Sequence, residues 1–175
     1  MDEAQEYYEH FSLVVGQRDW LRPNLRHARL RRLVDEEIEG SGLRVLDVGC
    51  GAGVMTSHMT RYGEVVGTDF SSSAIELARK LVPGASFNAG RELPGGEFDV
   101  ITLFDVLEHI PQPERSAFIG GLARRLAPQG RLFVSTPYPR SRATVGSRAT
   151  TPSRSSTRRS SSPTSWRKRR RRACG

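Results

Sequence analysis

From Leu21 onward, Leu21, Leu25, Ala28, Leu30, Leu33, Val34 and Ile38 recur at helical spacing, with Arg and Glu between them. That period predicts a helix over residues 20–39, ended by Gly40-Ser41-Gly42. A helix over residues 3–15 precedes it. At residues 44–48 the pattern changes to a short, almost continuous apolar run, as in a strand covered on both faces. A glycine-rich loop follows, then a helix over 53–62 and a second strand over 64–68. Residues 71 to about 82 read as a helix, with Ser71 or Ser72 as N-cap and Pro83-Gly84 as its stop. Residues 85–88 form a weak third strand, and FDVITLF, 98–104, a strong fourth. In the helix expected over 114–126, Phe118, Ile119, Leu122 and Leu126 share one face. Pro128-Gln129-Gly130 then turns the chain into a fifth strand over 131–135. Strands alternating with helices predict a doubly wound parallel α/β sheet, a Rossmann-like fold with right-handed crossovers.

After Pro139 the periodicity vanishes. Residues 141–175 are rich in Arg and Ser and have almost no apolar side chains, too few to offset the entropy of ordering, so a disordered tail is expected there. The domain proper is expected over 1–140, with N-terminal helices in 1–40 and a core over 43–137. This division changes the meaning of the charge. The chain carries a formal +8, but 11 of its 27 Lys and Arg lie in 141–175, which has no acid. Residues 1–140 keep 16 bases against 19 acids, so the body is mildly acidic. Cys50 and Cys174 are the two cysteines; they predict no disulfide framework and fit a reducing compartment. The acidic start, MDEAQEYYEH, is unlike a secretory signal, and no apolar run approaches a membrane span. A cytoplasmic location without membrane partners is expected; oligomeric state is left open.

The candidate chemistry begins at VLDVGCGAG, residues 45–53. Glycines without Cβ atoms let the backbone turn tightly and lie against a ligand, at the strand ends where open α/β sheets bind. The spacing is G-x-G-x-G, not the G-x-G-x-x-G of dinucleotide sites. Asp69 closes the second strand 20 residues after Gly49, where an acid can bind both ribose hydroxyls or cap the next helix. That acid alone leaves NAD open.

Four blocks, VLDVGCGAG, VVGTDFS, LPGGEFDVITLFDVLEHI and LARRLAPQGRLFVSTP, together resemble class I S-adenosylmethionine-dependent methyltransferases in order and spacing, across residues 43–137. The resemblance implies that residues from Asp47 to Gly53, including Gly49, Cys50 and Gly51, line the methionine and ribose side of the cofactor. It implies that Asp69 binds the ribose and that Phe70 lies against adenine. After strand three, FNAGREL has Arg91 near where relatives commonly carry an acid, which leaves adenine contacts through Ala89, Gly90 or Arg91 open. Phe104 and Asp105 would border the methyl-transfer site.

Methyl transfer from a sulfonium needs mainly proximity and alignment; a base is required only for an acceptor that carries a proton, such as a phenol or alcohol. Asp105, Glu108 and His109 can converge where a strand end enters a helical turn. The segment is similar to E-x-x-E-H of ubiquinone-pathway O-methyltransferases and small-RNA 2′-O-methyltransferases, where it binds metal, but Asp105 has the shorter reach. The favoured reading gives Glu108 and His109 a loop-holding role and assigns no metal, with His109 and Asp105 as the catalytic candidates. His10 and His27 are expected to be solvated and His58 to pack. Tyr7 and Tyr8 could form a lid, and Trp20 could anchor the second helix.

The resemblance also leads one to expect a further helix and a β-hairpin after strand five, which 141–175 does not encode. A basic tail binding nucleic acid, a truncation and an altered reading frame are the three readings of that segment, the last preferred. The favoured function is methyl transfer from S-adenosylmethionine to a small molecule, most readily a hydroxyl oxygen. The alternatives are a truncated, non-catalytic cofactor-binding module with a nucleic-acid-binding tail, and an NAD-dependent oxidoreductase.

Overall fold

The computed structural model describes residues 24–136. The helix expected at 3–15, the positions Tyr7, Tyr8, His10 and Trp20, and the basic tail lie outside the described residues. Within them the order is α1 (Leu25–Glu37), β1 (Leu43–Val48), α2 (Val54–Met59), β2 (Gly63–Asp69), α3 (Ser72–Leu81), β3 (Ser86–Ala89), β4 (Phe98–Phe104), a 3-10 turn (Leu107–His109), α4 (Gln112–Ala123) and β5 (Leu126–Ser135). The five strands pair in parallel in the order β3-β2-β1-β4-β5.

Alternate side chains point to opposite faces of a strand, and both faces here are covered. Val45, Val65, Val100 and Phe133 pack with Val34 and Ile38 at the C-terminal end of α1 and with Met59 of α2. Leu46, Val48, Ile101 and Leu103 pack on the other face with Leu122 of α4. Ile75, Ala78 and Val82, on and just after α3, close over Phe87 of β3. This explains why β1 and β4 read as continuous apolar runs. The chain leaves β1 toward β2 and β3, then returns to place β4 and β5 on the other side of β1. Such a reversal opens a crevice at the carboxyl ends of β1 and β4, where doubly wound sheets bind ligands.

Several boundaries differ from the sequence reading. Asn24 caps α1, its side-chain oxygen accepting the His27 N–H at 2.9 Å. The buried stripe of α1 is Leu30, Val34 and Ile38, whereas Leu25 is 84% exposed and Leu33 44%. Helix α2 stops at Met59 because the chain must turn through Tyr62 into β2, the Tyr62 N–H donating to the Met59 carbonyl. Pro111 is the N-cap of α4 and Pro113 sits in its first turn, so α4 starts at Gln112 and ends at Ala123. Pro128-Gln129-Gly130 lies inside β5. Leu126 pairs with Phe98 and Arg131 with Val100, and the extra residues form a bulge in which Gln129 has φ 69°.

Candidate active site

A cavity of about 1020 Å³ opens at the crevice, at the upper end of the usual range for small-molecule sites. The loop after β1 forms its floor. Gly49 and Cys50 donate their N–H groups to the Thr68 carbonyl at 2.8 and 3.1 Å, extending the β1–β2 ladder into the loop. Gly49 and Gly51 have φ values of 71° and 51°, in the left-handed region that favours glycine, but they serve different needs. A Cβ on Gly49 would fall 2.1 Å from Cγ2 of Val106, so this glycine lets the loop touch the segment after β4. A Cβ on Gly51 would meet nothing within 4 Å and would project beside the cavity that Gly51 lines. Gly53 is not among the lining residues. It is buried at the start of α2, and a Cβ there would press on Val82 at 3.0 Å. The expected ligand role of Gly53 gives way to packing against the α3 end.

Asp69, at the end of β2, ties the floor to the wall. The Gly51 N–H donates to its Oδ2 and the Ser71 N–H to its Oδ1, both at 2.9 Å. The cap of α3 is Ser71, whose hydroxyl accepts from the Ala74 N–H. Asp69 therefore organises the loop while Ser71 caps the helix. Phe70 and Gly90 line the same wall, and the guanidinium of Arg91 stands 5.6 Å from the Phe70 ring centre. Cys50 also lines the floor; burial first, with Asp47 and Asp69 adding to it, pushes its thiol far above the ordinary range. That keeps it protonated, and it is a poor nucleophile.

Asp47 is buried behind the loop. It pairs in register with Thr102 of β4, whose hydroxyl donates to Oδ1 at 2.7 Å, and Thr56 of α2 donates to Oδ2 at 2.6 Å. Burial raises its pKa, the two hydroxyls oppose the rise, and the charge of Asp69 adds to it. Sequence spacing did not reveal this buried bridge between β1, β4 and α2.

The opposite end of the cavity is built from β4, the 3-10 turn and α1. Phe104, Asp105, Glu108, His109 and His27 all line it. Asp105 is a non-glycine residue at φ 61°, a strained conformation that tends to occur at functional positions. Its carboxylate is paired with Arg26 of α1 and accepts from the Ser135 hydroxyl at 3.1 Å. Asp105 is thus on the wall but engaged. Glu108 Oε2 is buried without a hydrogen-bond partner among the described residues. Among those residues no three His, Cys, Asp or Glu side chains gather closely enough to hold a metal ion. His58 packs: its Nε2 lies 2.8 Å from Asp35, and its ring meets Tyr62 edge-on.

His27 departs from expectation. It is half-buried on the cavity wall, and its Nδ1 is buried without a partner among the described residues. Burial lowers its pKa, with Arg31 and Arg26 acting in the same direction and Asp105 opposing them. A signal was available: His27 lies three residues before Leu30 and seven before Val34, in line with the buried stripe.

A family pattern described as "Methyltransferase domain" matches residues 19–171. Ubiquinone biosynthesis O-methyltransferase of Coxiella burnetii is 33% identical over 114 residues, which are 60% of this chain and 48% of that protein. Its counterpart in Xanthomonas axonopodis pv. citri is 37% identical over 119 residues, 59% of this chain and 46% of that one. The chain thus spans about half the length of these curated relatives. Among solved structures, the N-methyltransferase NodS from Bradyrhizobium japonicum, in complex with S-adenosyl-l-homocysteine, superposes with a TM-score of 0.63 at 20% identity, over 76% of this chain and 72% of that one. At that identity the likeness is one of fold. No helix of the described residues is long and apolar enough to cross a membrane.

Proposed function

The chain belongs to the methyltransferase domain family, and from that premise we propose that it binds S-adenosylmethionine in the cavity and methylates a hydroxyl of a small molecule. Family membership weighs against the oxidoreductase alternative. The observation that carries the cofactor assignment is the convergence of the Gly49–Gly51 floor, Asp69 and Phe70 on one cavity at the β1/β4 crevice.

The residues present suit such a cofactor. An ionised carboxylate can accept about four hydrogen bonds. The backbone N–H groups of Gly51 and Ser71 aim Asp69 from the end of β2, where a carboxylate suits ribose hydroxyls as donors. Phe70, with Arg91 beside it, offers an aromatic surface for a purine. The open space at Gly51 admits a bulky ligand against bare backbone. Among the charged residues lining the cavity, Asp47, Asp69, Asp105, Glu108 and Glu114 outnumber Arg91, a bias that suits a ligand bearing a sulfonium and an ammonium. When bound, S-adenosylmethionine supplies a methyl group on a good leaving group. The chain's own work is then to align an acceptor, exclude water and receive a proton where the acceptor carries one. The preference for a hydroxyl rests on the distant ubiquinone O-methyltransferase relatives.

Calorimetry of the full chain with S-adenosylmethionine, S-adenosylhomocysteine and NAD tests the cofactor assignment. Binding of the first two with none for NAD is the expected outcome; binding of NAD alone overturns it.

A further inference from the structure

The titratable groups on the cavity wall are unequally committed. Asp47 is held by two threonine hydroxyls, Asp69 by two backbone N–H groups, and Asp105 by Arg26 and Ser135. Two wall residues carry a buried acceptor atom without a partner among the described residues: His27, at Nδ1, and Glu108, at Oε2. A buried polar atom left unpaired in a folded protein calls for a reason, and a ligand is one. Of the two, the imidazole is the group whose affinity for protons is matched to neutral pH.

We propose that His27 is a catalytic residue on the acceptor side, the base that takes the proton of the acceptor hydroxyl. This rests on the hydroxyl reading given above. In the step, the O–H bond breaks and its proton passes to Nδ1. The oxygen's electron pair closes the bond to the methyl group of the sulfonium donor, whose sulfur keeps the electrons of the bond that breaks. The imidazolium then returns its proton to solvent.

Three observations fit this role. First, the ring lines the same end of the cavity as Asp105 and Glu108, so an acceptor bound there would lie beside all three. Second, Nδ1 is buried without a partner among the described residues; in the tautomer protonated at Nε2 it carries the lone pair, and χ2 of histidine is a broad torsion, so a turn of the ring can present it to the cavity. Third, burial lowers the imidazole's pKa, which favours the neutral form a base needs. The charged groups facing it are Arg31 and Arg26 on α1 and Asp105 at the end of β4, with burial the largest influence. Glu108, the other unpartnered acceptor, would hold a second polar hydrogen of the same molecule.

The test compares the wild-type full chain with His27→Gln on 4-nitrophenol, phenol and benzyl alcohol at a pH where only the first is ionised. A missing base should cost about 10²–10³-fold in kcat/KM on phenol and benzyl alcohol and less than about 10-fold on 4-nitrophenolate. Imidazole added to His27→Ala should restore part of the phenol activity. A uniform loss across the panel, or none, overturns the assignment. A second readout is independent of turnover. With S-adenosylhomocysteine bound, phenol should move the Nδ1 resonance of His27, assigned from the His27→Gln spectrum, and leave that of His58 in place. An unmoved His27 resonance overturns the proposal. Calorimetry with S-adenosylhomocysteine separates the two failures. Absent binding in the wild type defeats the cofactor reading, whereas normal binding with a uniform loss defeats only the role of His27.

Discussion

The two ends of the cavity are made in different ways. The floor and the Asp69 wall come from residues close to strand ends, and their polar groups satisfy one another: Gly49 and Cys50 to Thr68, Gly51 and Ser71 to Asp69. The β4 end is assembled from side chains of α1, β4, the 3-10 turn and β5, and among the described residues it retains unpartnered polar atoms at His27 and Glu108. The difference teaches that a constant ligand can be met by backbone, set in advance by the ladder. A variable ligand must be met by side chains that are left unsatisfied until it arrives.

The contrast can be broken most severely at Gly49. In Gly49→Ala the new methyl overlaps Val106 and the backbone is held at φ 71°; strain and overlap together should cost about 2–4 kcal/mol. Thermal melting should show the loss, and S-adenosylhomocysteine binding should fall with it. Asp69→Ala comes next. Hydrogen bonds to a charged group contribute about 1.5–3 kcal/mol each, so losing the ribose acceptor should weaken binding about 100-fold or more by calorimetry. Binding within a few-fold of wild type would remove Asp69 from the site. Gly51→Ala separates ligand from fold. No atom lies within 4 Å of the new methyl, so the stability cost is the backbone term alone, about 1–2 kcal/mol, while affinity should drop about 10-fold. A melting temperature as low as that of Gly49→Ala would show that the two glycines do the same work.

The smallest effect sharpens the comparison through the sign of its pH dependence. The His27 pKa is lowered in the fold from an ordinary 6.5, so between the folded and ordinary values the unfolded chain binds more protons. Its contribution to stability is present above 6.5 and is lost as pH falls. Asp47 is raised from an ordinary 3.8, so its contribution is full below 3.8 and is lost as pH rises through the folded value. His27→Gln should therefore flatten the fall of melting temperature on acidification below 6.5. Asp47→Asn, which keeps one acceptor and gains a donor for the two threonines, should leave the melting temperature at neutral pH unchanged or raised and weaken cofactor binding. A lower neutral melting temperature for Asp47→Asn would mean that the ionised carboxylate stabilises the unliganded fold.

This division also explains what could be read from the chain. The sheet and the glycine-loop floor of the cavity were legible because a strand, a glycine turn and an acid at the next strand end are local patterns. Asp47 stands two residues before Gly49 in the sequence, but its bond to Thr102 depends on β1–β4 pairing across 55 positions. Gly53 fits the same spacing as Gly49 and Gly51, and only three-dimensional packing turns it toward Val82. His27 stands in a polar stretch of α1, and only the packing shows that Leu25 and Leu33 are exposed while its own turn faces the sheet with Leu30 and Val34. The bulge at 128–130 read as a turn because Pro and Gly carry the same local signal in both settings.

The strand order has a kinetic consequence. β1, β2 and β3 follow one another along the chain, so the loop and Asp69 can come together early. The crevice exists only once β4 has crossed back to lie beside β1. Contacts so distant in sequence are slow to form because the intervening chain must be ordered first. A folding chain would therefore hold the glycine loop and Asp69 in place before it holds the chamber. A ligand that needs both acts on the last step, drawing the docked state out of the ensemble by mass action. Cofactor added during refolding should then speed the recovery of native fluorescence less than it slows unfolding.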